Sequence, residues 1–204
     1  MKTLDISRLP DALGDIISIG TSCAAQSLSQ VIDQSVQLSI PNVSLVKIED
    51  VSVETLRLKA EVFGVVTQEF TGALNTKVML LFAEEAALQI VENMIGMEMD
   101  RDAIREIENE AMCELGNIMI NACLSSVADT LHISIESSLP HYVIQSRDEI
   151  VTTILHDKKQ DFVLISSIDL VIEQCLIEGK LLFLMNKSCL NNIIDEIHFF
   201  VRTK

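Results

Sequence analysis

Leu13, Ile16, Ile17, Ala24, Leu28 and Ile32 fall at helical intervals and make one apolar stripe. Pro10 suits a first helical position, so the pattern predicts a helix from near Pro10 to about Gln34. Val36 to Ile40 then alternates, and Pro41, which has no N–H for a ladder, closes that short strand. From Val43 to Phe82 the texture is that of β-structure: Val62, Val65 and Val66 enrich one segment and Val78, Leu80 and Phe82 another. Gly72 with Asn75 predicts the turn between them. Ala83 to Ile95 returns to a helical pattern, with Gly96 placed to cap its C-terminus.

The second half repeats this order. Asp100 predicts an N-cap for a helix from Arg101 to about Thr130. His132 to Ile135 reads as a strand ending before Pro140, Phe162 to Ile172 and Lys180 to Met185 as two more with Gly179 at their turn, and Lys187 to Val201 as a closing helix. The register is strict, because Asp15 and Glu114, Ser18 and Asn117, and Pro41 and Pro140 are each 99 positions apart. Lys77 to Phe82 matches Lys180 to Met185 at an offset of 103, which needs a four-residue insertion, expected in the 146–160 connection. These features predict an α+β fold: a pseudo-twofold domain over residues 1–204, made of two repeats at about 10–96 and 100–201. In it an antiparallel-rich sheet packs against two long helices, with shorter helices at the flanks.

An apolar fraction of 49% provides for a substantial, mainly aliphatic core. The net charge of −15 argues against nucleic acid and anionic membrane surfaces, which reward clustered Lys and Arg. It fits either a protein partner with a basic patch or plain solubility. The five cysteines have no paired CxxC spacing, so neither a disulfide framework nor a zinc site is expected, and His132, His141, His156 and His198 lack metal-ligand spacing. With no signal-peptide core before Asp11 and no uninterrupted apolar run of about 18 residues, a cytoplasmic protein is expected.

Chemistry concentrates in the second long helix. Glu110, Glu114, Asn117 and Asn121 follow i, i+4, i+7, i+11 spacing and form one polar stripe, with Ala111, Leu115, Ile118 and Ala122 expected to pack inward. An acid and an amide one turn apart can act on a single external ligand, although a solvated face carries the same pattern. The order acid-x3-Glu-x2-Asn-x22-Pro, here Glu110, Glu114, Asn117 and Pro140, resembles the signature of the CheC/CheX/FliY family of chemotaxis phosphatases. Glu110 departs slightly from the Asp or Ser that the family prefers.

The resemblance implies dephosphorylation of a phosphorylated, CheY-like response-regulator receiver. Asn117 would orient the attacking water, Glu114 would engage a receiver lysine, and Pro140 would be structural. It implies no cofactor of the chain's own, since Mg²⁺ is held by the receiver. It leaves open a CheD-like partner and a monomeric or homodimeric state. In the first repeat Asp11 keeps the leading position, but Asp15 and Ser18 replace Glu and Asn before Pro41. Both replacements are shorter, so that copy is expected to be degenerate. The alternative readings are a non-catalytic receiver-binding adaptor and a flagellar-switch-type component.

Overall fold

The computed structural model describes the backbone of residues 9–40, 42–96 and 100–203, and side chains between 13 and 196. Helix α1 (Leu9–Ile32) leads into β1 (Val36–Ser39) and β2 (Val43–Lys47). A 3-10 turn (Ile48–Asp50) and the short α2 (Val53–Leu56) precede the hairpin β3 (Val62–Gly72) and β4 (Thr76–Ala83), and α3 (Glu84–Ile95) ends the half. The second half runs α4 (Arg101–Leu131), β5 (Ile135–Ser137), β6 (His141–Ser146), α5 (Arg147–Leu155), β7 (Phe162–Ile172), β8 (Cys175–Met185) and α6 (Lys187–Thr203).

The eight described strands form one sheet of antiparallel pairs in the order β1-β7-β8-β4-β3-β5, with β2 beside β1 on the β7 edge and β6 beside β5 on the β3 edge. Its central seam is the β4–β8 pair, where Met79 faces Leu182 and Leu81 faces Lys180. Val66 faces Leu80 in one hairpin and Ser166 faces Leu181 in the other, so Leu80 and Leu181, which face each other at the seam, are equivalent positions and the pseudo-twofold passes between them. At the two edges, Val36 facing Ile172 is mirrored by Ile135 facing Gly72.

Each sheet face is apolar, as strand alternation allows. One carries Val66, Leu80, Leu164 and Phe183 and is covered by α1, α3 and α4. The other carries Val65, Met79, Val163 and Leu182 beneath Leu56 of α2 and Ile150 and Ile154 of α5. The two long helices cross with almost no gap. Ser126 Oγ of α4 donates to the Ile16 carbonyl of α1 at 3.0 Å, and a Cβ on Gly20 would lie 2.4 Å from the Ala122 carbonyl oxygen. Ile16 thus meets Ser126 while Gly20 meets Ala122, so the helices run antiparallel.

Three sequence expectations change. Gly179 is not a turn residue. It lies inside β8, where Phe82 approaches so closely that a Cβ would sit 2.5 Å from its ring, and Glu173 with a φ of 53° takes the turn. The extra residues do not all enter at 146–160. Val62 and Phe162, the strand starts, are 100 apart, and the hairpin pairs Val66–Leu80 and Ser166–Leu181 make Leu80 and Leu181, 101 apart, equivalent, so the sheet does not keep the 103 offset. The first strand after α4 starts at Ile135, because His132 adopts a φ of 55° as the helix C-cap. Among the described residues α4 is the one helix long and apolar enough to cross a bilayer by length and composition, and half of that window is buried within the protein.

Candidate functional site

Helix α4 is fixed before its polar face is considered. Asp100 accepts the Ala103 N–H at 2.9 Å as its N-cap, and Ile104, Met112, Leu115 and Met119 are buried along one side. Gly116 lets that side settle on β3, since a Cβ there would stand 2.4 Å from Val66 Cγ1. Ala111, Ile118 and Ala122, expected to face inward with Leu115, are only half-buried and flank the contact. The opposite side presents Glu110 and Glu114 to solvent, with Asn117 and Asn121 half-buried beside them.

Asn121 Nδ2 donates to Asn117 Oδ1 at 2.7 Å. The bond fixes the Asn117 amide plane, and among the described residues its Nδ2 has no protein acceptor. A held amide with a free N–H pair, one turn from an exposed carboxylate, can position a water and meet a cation.

Pro140 lies between β5 and β6, beside this helix, and its carbonyl accepts from Cys113 Sγ at 3.7 Å. The approach to it is pinned by Ser138, whose N–H donates to the Glu69 carbonyl at 2.8 Å and whose own carbonyl accepts from Gln68 Nε2 at 2.8 Å. Leu139 between them is 90% exposed. Sequence reasoning missed it; its only signal is an apolar residue next to the motif proline.

A second missed feature anchors the other flank. Glu108 is 3% exposed, and its carboxylate accepts a hydrogen bond from the Tyr142 hydroxyl, tying α4 to β6. Burial, then the Glu108 carboxylate, push the Tyr142 phenol above its ordinary pKa. Thiol chemistry is disfavoured nearby: burial raises Cys113, and it pushes Cys123 up to about 12. No group of three or more His, Cys, Asp or Glu suited to a metal gathers among the described residues.

The first-repeat copy is built differently. Asp15 and Ser18 are exposed on α1, but Ser18 Oγ donates to the Gly14 carbonyl of its own helix at 2.7 Å. Its hydroxyl hydrogen is therefore used within the helix. The Asp11 side chain and Pro41 lie outside the described residues.

A family profile described as "Chemotaxis phosphatase CheX" matches residues 64–165. That span contains Glu110, Glu114, Asn117 and Pro140 and not Asp15 or Ser18. A Halobacterium salinarum protein named as a candidate CheY-P phosphatase, CheC1, is 23% identical over 179 residues, covering 87% of this chain and 90% of that one. The fold is similar to that of crystalline Thermotoga maritima FliY, with a TM-score of 0.74 at 21% identity over 97% of this chain and 98% of that one. It is also similar to a chain of the CheX–CheY–BeF3–Mg²⁺ complex from Borrelia burgdorferi, with a TM-score of 0.51 at 15% identity, covering 82% and 96%. With the motif on α4, the duplicated sheet and the matching profile in agreement, this chain belongs to the CheC/CheX/FliY family of chemotaxis phosphatases.

Proposed function

We propose that this chain hydrolyses the phosphoaspartate of a phosphorylated, CheY-like receiver, using the exposed face of α4. The observation that carries the reading is the Asn117 amide, clamped by Asn121 at 2.7 Å and open at Nδ2, next to exposed Glu114. An aspartyl phosphate is already activated, so a water held in line with phosphorus can attack while the bond to the aspartyl oxygen breaks, releasing inorganic phosphate and a free carboxylate. Asn117 hydrogen-bonds that water and does not remove its proton, so its contribution is positioning. Glu114 pairs with a receiver lysine and sets the docking register. The divalent cation belongs to the receiver, and the chain supplies no cofactor. The Borrelia CheX complex lends support, since in it a protein of this fold is found with CheY, BeF3 and Mg²⁺.

The α1 copy is proposed to be inert because Ser18 is bonded to its own helix and Asp15 is shorter than Glu. We place the protein in the cytoplasm, where a receiver would be met, acting as one two-repeat unit. A CheD-like protein and a second copy of the chain remain candidate partners. The likeness to FliY supports a second reading, a receiver-binding adaptor or flagellar-switch-type component without hydrolysis. Decay of a radiolabelled phospho-receiver separates the two. Phosphatase action accelerates decay catalytically at low ratios of protein to receiver, whereas binding without acceleration favours the adaptor and rejects the phosphatase.

A further inference from the structure

The sheet face turned away from α1 and α4 borders a cavity of about 770 Å³ that the phosphatase reading does not use. Strand alternation puts Lys180, Ser167, Phe63 and Leu81 on that face, in phase with Leu182, Ile165, Val65 and Met79. Arg57 and Lys59, from the segment between α2 and β3, also line it, as does Leu176, which is 58% exposed.

The duplication provides an internal comparison. In the sequence, Lys180 of β8 matches Lys77 of β4. Lys77 Nζ lies 3.0 Å from Asp157 and 3.9 Å from Glu69, so two carboxylates neutralise it. The segments entering β3 and β7 align without a gap, which makes Arg57 the counterpart of Asp157. Glu69 faces Lys77 across the first hairpin, whereas Ser167 faces Lys180 across the second. Lys180 therefore faces a serine where Lys77 faces an acid, and Arg57 is its charged neighbour while Asp157 lies against Lys77. Its Nζ donates to Ser167 Oγ at 2.8 Å.

The other charged groups around Lys180 are Lys59, Glu178 and Asp169, and Glu178 is itself 3.4 Å from Lys59. Burial, then the charge of Arg57, lowers the Lys180 pKa, as expected of a cation short of counter-charge. In a chain of net charge −15, that is a local exception.

We propose that the cavity lined by Lys180, Arg57 and Lys59 binds a small phosphorylated molecule, its phosphate between Lys180 and Arg57 and its apolar part against Phe63 and Leu176. The planar Arg57 fork and the Lys180 ammonium suit a phosphate dianion. Isothermal titration of the full chain at low ionic strength, with phenyl phosphate, inorganic phosphate and phenol as probes, tests this. Phenyl phosphate is expected to bind, more tightly than inorganic phosphate, while phenol does not, and added salt weakens the binding.

Arg57→Asp copies the other repeat, and Asp tolerates the φ of 54° found there. It should weaken phenyl phosphate binding by roughly tenfold or more, and Lys180→Gln should do likewise. Neither substitution should alter phospho-receiver decay, because the α4 face is on the other side of the sheet; the two proposals therefore fail separately. Absence of binding by either phosphate at about millimolar concentration, or equal binding by wild type and both variants, overturns the proposal.

Discussion

Gly116→Ala sets two physical effects of opposite sign against each other. In an open helix interior the change should stabilise by about 1 kcal/mol, because glycine is the poorer helix former. In α4 the new methyl would lie 2.4 Å from Val66 Cγ1 and 3.0 Å from Val66 Cβ, against an ordinary carbon separation of about 3.5–4.0 Å. Val66 is fully buried, paired across the sheet with Tyr142 on one side and Leu80 on the other. Its branched side chain is stiff at χ1, so it has nowhere to turn. Relief of roughly 1 Å must come from α4 lifting off β3, which also loosens Leu115 and Met119.

Overpacking of this kind costs about 1–3 kcal/mol, and an overlap this deep belongs near the upper end. The net expectation is a loss of about 1–2 kcal/mol, or roughly 3–6 °C in Tm for a chain of this size. Urea unfolding of wild type, Gly116→Ala, Val66→Ala and the double variant reads it out. Val66→Ala makes room, so the double variant should be more stable than additivity gives by about 1–2 kcal/mol. Stabilisation by Gly116→Ala, or no coupling in the cycle, would refute the close seating of α4.

Tyr142→Phe removes the hydroxyl that Glu108 accepts from and should destabilise by about 1–3 kcal/mol in urea unfolding, since the carboxylate stays buried. The raised Tyr142 pKa makes its stabilising effect complete below pH about 10 and progressively lost above it. Tyr142 is the chain's one tyrosine, so phenolate absorbance should appear together with alkaline unfolding; titration at pH about 10 in the folded protein would contradict the Glu108 contact. Glu114→Gln should raise KM for phospho-receiver about tenfold with kcat nearly unchanged and flatten the salt dependence of KM, whereas a kcat-only loss would reject a docking role. Residues 1–96 alone leave β4 unpaired where β8 lay, with Leu80, Leu81 and Phe82 at the open seam. That fragment should show no cooperative monomeric unfolding transition; if it does, the two repeats are independent units.

Much of the fold was legible because its signals are local. The α1 and α4 stripes, the Asp100 cap, the Gly96 C-cap and the run Phe162–Ile172 read directly from residue order. Helix α5 was not predicted, since only Ile150 and Ile154 of it are buried, yet its capping box was readable in Ser146 and Glu149. Gly179 misled because glycine marks close approach as well as turns, and the ring it admits belongs to the other repeat. At the site, Glu110, Glu114 and Asn117 share one helix, so their common face is readable from residue order. The Glu108–Tyr142 bond is not, because its partners are 34 positions apart and a glutamate usually reads as solvated. The proposed inertness of the α1 copy rests on the short Ser18 side chain and on its bond to the Gly14 carbonyl, which sequence reasoning does not reveal.

The central claim, one working face on α4 and a silent copy on α1, meets its most direct test in phospho-receiver decay measured side by side for Asn117→Ala and Ser18→Ala. The account predicts that Asn117→Ala loses roughly a hundredfold in rate, toward the receiver's spontaneous decay, while Ser18→Ala matches wild type. Accelerated decay that survives Asn117→Ala, or is lost with Ser18→Ala, would contradict it.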